Sequence, residues 1–232
     1  MSCFLITGCA EVEQSQTSVV VQDKLEVYLC DLTTSTDSAV TKQNMKKNIT
    51  KLLRKLGPNT HYFVYPIGET VQSSLFTGYT GNDTDNATLY KANVQNYTRC
   101  IKAVENGFAG AQSKNTCIID ALQAAMDQVK YFKKDKQIDS VRLVVISDMM
   151  EACPVRGRWV NFEKVPFDSV GASWILEKWP EDHLFLKDNQ LQEITVLYNT
   201  STAVSQRELK QFWYEFFRKA GFTKEIYFPT DI

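Results

Sequence analysis

The chain has 232 residues, of which 44% are hydrophobic, and this is enough for one globular α/β domain with a full core. Its 26 basic and 27 acidic residues give a formal net charge of -1 without a block of like charge, so a nucleic-acid partner is not indicated. No apolar run approaches the roughly 20 residues of a membrane-spanning helix.

The first residues resemble a targeting segment. Ile6-Thr7-Gly8-Cys9 is similar to the lipobox of bacterial lipoproteins, and the resemblance implies that Cys9 is lipidated after signal cleavage. We therefore predict a signal remnant over 1–9, a polar tether over 10–24 and one domain over 25–232. Because Ala10 follows the cysteine, the resemblance implies that lipid chains anchor the domain to the outer membrane, on its periplasmic side. If the match is a chance one, the expected location is the cytoplasm.

Strand-like apolar runs and amphipathic stripes alternate along the remaining chain. The first strand is predicted to begin at residue 25, and further strands are predicted over 60–67, 140–147, 191–198 and 225–228. A short antiparallel edge strand is predicted over 71–76. The helices are predicted over 38–56, 87–107, 113–132, 169–178 and 205–220. A polar loop is expected over 78–86. This alternation predicts an α/β fold of the Rossmann-like kind, with a doubly wound, mostly parallel central sheet flanked by helices.

Polar side chains follow the first strand where its apolar run ends. Asp31, Thr33 and Ser35 offer one carboxylate and two hydroxyl oxygens at alternate positions, and such hard oxygen donors are the ligands that Mg²⁺ prefers. An Asp-x-Thr-x-Ser stretch is also an ordinary turn and helix N-cap. Two later residues strengthen the metal hypothesis, because Thr116 stands at the start of a predicted helix and Asp148 closes the most apolar strand.

The order of these groups resembles the von Willebrand factor A domain, whose adhesion site has the pattern Asp-x-Ser-x-Ser, then Thr, then Asp. Asp31-Leu32-Thr33-Thr34-Ser35 matches with Thr33 in place of Ser, and Thr116 precedes Ala121-Leu122 at the family's spacing. Val144 to Asp148 matches the hydrophobic strand that ends in Asp. Lys114 and Asn115 stand where the family usually has glycines.

The resemblance implies a vWA-type fold over roughly residues 24–230 and a specific kind of function. Mg²⁺ or Mn²⁺ would be held by five residues, namely Asp31, Thr33, Ser35, Thr116 and Asp148. An acidic side chain of a protein partner would complete the metal shell, so the implied activity is adhesion or recruitment rather than catalysis. The two histidines, His61 and His183, are not expected to be catalytic.

Two other functions compete with metal-dependent adhesion. The first is a degenerate vWA-like scaffold that binds no metal, since a fold does not dictate function. The second is a Mg-dependent phosphatase-like enzyme in which Asp31 attacks phosphate, although the second acid that such enzymes need two residues later is here Thr33. No nucleotide-binding glycine motif or phosphate loop is present in the sequence.

The cysteines and tryptophans leave two questions open. Cys30 is expected to pack in the core, and one disulfide is possible among the four cysteines after the leader, which are Cys30, Cys100, Cys117 and Cys153. Their spacing does not favour zinc. The long segment 151–190 contains Trp159, Trp174 and Trp179, which either anchor a partner at the rim of the site or cover the domain's own core.

Overall fold

The computed structural model describes residues 22–33, 38–68, 73–81, 87–110, 114–155, 158–162, 169–177, 184–198 and 206–229. These residues contain eight strands, β1 (Asp23–Asp31), β2 (Thr60–Ile67), β3 (Phe76–Thr80), β4 (Ile138–Ser147), β5 (Ala152–Val155), β6 (Arg158–Asn161), β7 (Leu191–Tyr198) and β8 (Glu225–Tyr227). They also contain five helices, α1 (Ala39–Arg54), α2 (Ala87–Gly110), α3 (Ile118–Asp135), α4 (Ser169–Leu176) and α5 (Gln206–Lys219).

Six strands form the central sheet in the order β3-β2-β1-β4-β7-β8, and β5 and β6 form a separate hairpin. Within the sheet only β3 is antiparallel to its neighbour. Helices cover both faces, so the predicted doubly wound, mostly parallel architecture is confirmed. No helix within the described ranges is both long and apolar enough to span a bilayer.

The apolar run of β1 is explained by burial on both of its faces. Leu25, Val27 and Leu29 pack with α3, α4 and α5, whereas Tyr28 and Cys30 pack with α1 and α2. A parallel strand that is covered on both faces has apolar residues at consecutive positions rather than at alternate positions. The predicted packing role of Cys30 is therefore confirmed, and its thiol is free and buried.

The stripe predicted for α5 is confirmed, because its five large apolar side chains are all buried, namely Leu209, Phe212, Trp213, Phe216 and Phe217. Their spacing of three and four residues places them on one side of the helix. Edge-to-face and tilted ring contacts join Trp213 to Phe216 and Phe217. This aromatic cluster fills the core below α3, α4 and α5.

Three predicted boundaries were wrong because long-range contacts decide them. The edge strand occupies Phe76–Thr80 rather than 71–76, and it takes up part of the predicted loop 78–86. It is possible there because Gly78 lies against the ring of Tyr62, where a Cβ would come within 2.2 Å of Cζ. The helix predicted over 113–132 begins at Ile118, since Thr116 instead pairs with Ala152 as a β-bridge.

The described part of the long segment 151–190 contains secondary structure and packs into the domain's main core through residues such as Val160, Phe162 and Ile175. It forms the β5–β6 hairpin and α4, and its Trp174 is 40% exposed. The Trp159 side chain and Trp179 lie outside what the structure describes, so the choice between a partner-binding rim and a core cover is untested for them.

The first strand begins earlier than predicted. β1 starts at Asp23, so the last two residues of the predicted tether 10–24 belong to the sheet.

Candidate metal site at the strand switch point

The candidate site lies where the strand order of the sheet reverses. From β1 the chain continues outward to β2, whereas β4 continues in the opposite direction to β7. Ligand sites of open α/β sheets lie in the crevice beyond the carboxyl ends of the strands at this switch point. Because Cys30 pairs with Ile146 in the parallel register, Asp31 and Ser147 end the two strands side by side.

Asp31, Thr33 and Thr116 meet at this switch point. The Oδ1 atom of Asp31 accepts hydrogen bonds from the backbone N–H of Thr33 at 3.0 Å and from its hydroxyl at 2.7 Å. The hydroxyl oxygens of Thr33 and Thr116 are 3.1 Å apart, although 83 positions separate the two residues in sequence. All three side chains are buried. The three predicted residues therefore converge from two distant parts of the chain.

The separation of the two threonine oxygens fits a shared Mg²⁺ ion. Octahedral Mg²⁺ holds its ligands at about 2.0–2.1 Å, so adjacent ligand oxygens lie about 3 Å apart. Each hydroxyl oxygen has two lone pairs, and a hydrogen bond between the two groups occupies only one of them. The donor set and its spacing are thus compatible with the predicted cation.

Asp148 adds a second carboxylate to the same crevice. Burial and, to a lesser extent, the nearby carboxylate of Asp31 together raise its pKa to about 6, although hydrogen bonds from the backbone N–H of Met150 and from Ser147 oppose this shift. The Met150 N–H lies 2.9 Å from Oδ1 of Asp148. Two buried carboxylates repel each other unless a proton or a cation compensates one of them.

Ser147 and Glu151 belong to the site, and the sequence analysis missed both. The Ser147 hydroxyl donates to Oδ2 of Asp31 at 2.7 Å, which fixes the carboxylate from the side of β4. Oε2 of Glu151 accepts from the backbone N–H groups of Ile118 and Ile119, at 2.7 and 3.3 Å. Ser147 was detectable as a hydroxyl beside Asp148 at a strand end, whereas no local pattern marks Glu151.

Glu151 replaces a missing cap at the start of α3. The N-cap residue of this helix is Cys117, whose side chain makes no capping hydrogen bond. Glu151 is 1% exposed, and its Oε1 has no hydrogen-bond partner within the described part of the chain. Burial raises the pKa of this carboxyl well above its usual range, and the N–H of Ile118 opposes the shift. Negative charge on this carboxyl, when it ionises, interacts favourably with the dipole at the helix N-terminus.

A disulfide bond and a backbone bridge fix the loop that carries Thr116. Cys117 and Cys153 are joined, which settles the pairing that the sequence left open. Next to this bond, the N–H of Thr116 donates to the carbonyl of Ala152 at 3.2 Å, and the Ala152 N–H donates back at 3.0 Å. The loop before α3 is therefore attached to the segment that follows Asp148.

Ser35, the fifth predicted metal ligand, lies outside the described residues, and so does the predicted lipidation site Cys9. Neither prediction is tested by the structure. His61 lies on β2 between the rings of Tyr79 and Phe132, at the end of the sheet opposite to the site. His183 is also outside the described residues.

The fold has counterparts among solved structures, although no protein-family model and no curated protein sequence matches the chain. It is similar to the PilB minor pilin from Streptococcus sanguinis, with a TM-score of 0.58 and 11% identity over 92% of this chain and 59% of PilB. A point mutant of the same pilin gives a TM-score of 0.58 and 11% identity over 91% and 58% of the two chains. This chain spans less than two thirds of PilB, and at this identity the likeness concerns the fold alone.

Two weaker likenesses are to von Willebrand factor A domains. One is the von Willebrand factor type A protein from Catenulispora acidiphila, with a TM-score of 0.49 and 10% identity over 84% of this chain and 37% of that one. The other is the SpRpn10 VWA domain, with a TM-score of 0.48 and 12% identity over 88% and 86%. Because both TM-scores lie below 0.5, no conclusion about this chain rests on these two likenesses.

The raised pKa of Asp148 predicts how the stability of the metal-free protein depends on pH. The carboxyl titrates near 3.8 when it is unperturbed and near 6 in the folded protein, so the folded state holds the proton more tightly. Its stabilising contribution is therefore complete below pH 3.8 and lost as the pH rises through 6. A shift of about two pKa units corresponds to roughly 3 kcal/mol at most.

Urea denaturation in the presence of a chelator, at several pH values between 4 and 7, measures this effect. Glu151 has a pKa shift in the same direction, so the wild type is compared with Asp148→Asn, in which only the Asp148 contribution is lost. We expect a shallower fall of the free energy of unfolding with rising pH in the variant. Equal slopes would show that Asp148 is not the titrating group.

Trp213 supports the loop that carries Asp148, and its replacement by Phe tests this contact. The indole N–H donates to the carbonyl of Met149 at 3.0 Å, and Met149 has a left-handed backbone with φ of 63°. Such a conformation is unfavourable for a side chain like Met and depends on its surroundings. Trp213→Phe is expected to cost about 1–3 kcal/mol in chemical denaturation, because a buried carbonyl loses its donor. The partly exposed Trp174→Phe, as a control, should cost less than about 0.5 kcal/mol, and equal costs would contradict the assignment.

Proposed function

We propose that this chain is a von Willebrand factor A-like domain that binds Mg²⁺ or Mn²⁺ and, through the cation, an acidic group of a protein partner. The observation that carries the proposal is the 3.1 Å approach of the Thr33 and Thr116 hydroxyls beside Asp31. Asp31, Thr33, Thr116 and Asp148 would hold the ion, and Ser35 is the fifth proposed ligand. The function is binding, and no catalytic step is assigned to these residues.

The chemistry of the ligands favours an acidic partner. Hydroxyl oxygens carry no charge, so a cation held partly by Thr33 and Thr116 keeps much of its positive charge. Mg²⁺ commonly retains water ligands when a protein supplies few carboxylates. A carboxylate of another protein replaces such a water with a charge-assisted contact. The role of this chain is to fix the oxygens of Asp31, through Ser147 and the N–H of Thr33, before the cation arrives.

A melting-temperature titration tests cation binding. A ligand present at about 100 times its dissociation constant stabilises the folded state by about 2.7 kcal/mol, which for a chain of this size raises the melting temperature by roughly 5–10 °C. We expect this rise with Mg²⁺ and Mn²⁺ and its reversal by a chelator. Absence of any rise would favour the metal-free scaffold, and metal-dependent hydrolysis of a phosphate ester would favour the phosphatase-like alternative.

The open coordination position is tested with Mn²⁺ as a probe. Bound Mn²⁺ that keeps water ligands strongly enhances the relaxation of bulk water protons. Adding glutarate, a small dicarboxylate, should lower this enhancement by displacing a water, whereas the matching neutral diamide should not. An equal response to both compounds would contradict recruitment through an acidic group.

We further propose that Cys9 is a lipid attachment site, so that the domain is presented from the bacterial cell envelope on the periplasmic side of the outer membrane. The support is the lipobox-like Ile6-Thr7-Gly8-Cys9. Expression of the full chain in a bacterium followed by mass analysis of its mature N-terminus should reveal an acylated Cys9. A Cys9→Ser variant should leave the membrane fraction, and a mature chain that still begins at Met1 would contradict the proposal.

A further inference from the structure

The Cys117–Cys153 disulfide lies beside the candidate site rather than in a distant part of the fold. Cys117 directly follows Thr116, and Cys153 directly follows Ala152, the residue that pairs with Thr116. Both half-cystines are 1% exposed. The bond therefore joins the Thr116 loop to the segment that follows Asp148. Thr116 and Asp148 are two of the proposed cation ligands.

We propose that this disulfide is a positioning element that sets the cation affinity of the site, so that thiol–disulfide exchange controls cation binding. The inference rests on the proposed cation site and assigns a role to two residues outside it. The hydroxyl oxygen is the only atom of the Thr116 side chain that could bind a cation, and a shift of the loop would move this oxygen out of reach of the ion. Mg²⁺ tolerates such a shift poorly, because it requires near-ideal geometry.

The other links to the Thr116 loop are weaker than a covalent bond. They are the pair of backbone hydrogen bonds between Thr116 and Ala152 and the capping contacts from Glu151 to the start of α3. These links keep the fold together when the disulfide is reduced, but each hydrogen bond opens more easily than a covalent bond. The reduced protein is therefore expected to stay folded and to bind the cation less tightly.

Reduction follows ordinary thiol–disulfide exchange. A dithiol reductant attacks one sulfur as a thiolate and releases the other cysteine, and its second thiol then attacks the mixed disulfide and releases the first cysteine. Two electrons and two protons pass to Cys117 and Cys153, and the reductant ends as a cyclic disulfide. The Asp120 carboxylate, 3.8 Å from Sγ of Cys153, repels an approaching thiolate. Because both sulfurs are buried and this negative charge lies beside one of them, we expect the loop to open locally before the reductant attacks.

Thermodynamic reciprocity gives the inference a second measurable consequence. If the disulfide increases cation affinity, then the cation must stabilise the disulfide by the same factor. Bound Mg²⁺ is expected to hold the Thr116 loop closed and to slow attack on the buried sulfurs. A disulfide with a purely structural role would be protected only as much as the fold as a whole.

The first experiment measures Mn²⁺ affinity in matched variants of the full chain. The double variant Cys117→Ser and Cys153→Ser is expected to bind Mn²⁺ about tenfold more weakly, within the usual range of coupling between sites. Cys100→Ala removes a free buried thiol from α2 on the other face of the sheet and should leave the affinity unchanged. Equal affinities in the double variant and the wild type would overturn the inference.

The second experiment follows reduction of the wild type by dithiothreitol, with and without Mg²⁺, and so does not depend on the folding of a variant. Labelling of the free thiols Cys30 and Cys100, measured by peptide mass in parallel samples without dithiothreitol, reports global opening. We expect Mg²⁺ to slow reduction of the disulfide more than it slows this labelling, and Thr116→Val to remove the difference. Equal protection of both would overturn the inference. If the oxidised wild type binds neither cation, the proposed function itself fails, whereas cation binding without the coupling contradicts only the role of the disulfide.

Discussion

Asp31→Asn is expected to abolish the cation-dependent rise in melting temperature while leaving the metal-free protein folded. The carboxylate lies at the centre of the candidate site, where it accepts from Ser147 and twice from Thr33. Asn keeps one oxygen in nearly the same shape but removes the charge that attracts a cation. Because residues that only support metal ligands already change affinity by 10–100-fold, loss of a charged ligand should weaken binding by about 100-fold or more.

The matched control is Asp139→Asn. Asp139 is the second residue of β4, at the end of the sheet opposite to Ser147, so its replacement removes the same charge far from the site. Its cation titration should coincide with that of the wild type. A second readout comes from Asp148, since the carboxylate of Asp31 contributes to raising its pKa. In Asp31→Asn the pKa of Asp148 should move back toward its ordinary value. A cation response that survives in Asp31→Asn would contradict the proposed site.

The strands of the sheet were predictable because burial on both faces gives a local signal. The boundaries of β2 and β7 were predicted as 60–67 and 191–198, the ranges observed. Both contain strings of β-branched and aromatic residues, which favour a buried strand. The ends of β1 and β4 also placed Asp31 and Asp148 correctly at one edge of the sheet, because parallel strands align their carboxyl ends.

Contacts between distant residues were not predictable in the same way. Glu151 caps a helix that begins 33 positions earlier in sequence, and only the folded chain brings the two together. The start of α3 at Ile118 follows from the pairing of Thr116 with Ala152, which no helical periodicity records. The position of β3 likewise depends on the ring of Tyr62 above Gly78. The sequence therefore indicated the polar side chains at this edge of the sheet better than the scaffold that orients them.

Glu151→Ala is expected to produce the largest loss of stability among the single substitutions around the site. Removing the side chain leaves the buried N–H groups of Ile118 and Ile119 without their acceptor, at about 1–3 kcal/mol each, and opens a cavity beside α3. The free energy of unfolding should fall by about 3–5 kcal/mol in urea denaturation. Glu105→Ala, which removes an exposed partner of Lys46, should cost less than about 1 kcal/mol.

Glu151→Gln separates the capping role of Glu151 from its charge. The amide oxygen can accept from the same two N–H groups, and because burial raises the pKa of Glu151 well above its usual range, an uncharged acceptor suits this position. We expect Gln to cost no more than about 1 kcal/mol, the range of one neutral hydrogen bond. It should also reduce the fall of stability with rising pH, because an amide cannot ionise beside Asp120 and Asp31. If Gln were as damaging as Ala, the ionised carboxylate would be the required cap, and the negative charge at the start of α3 would then add to the attraction of this crevice for a cation.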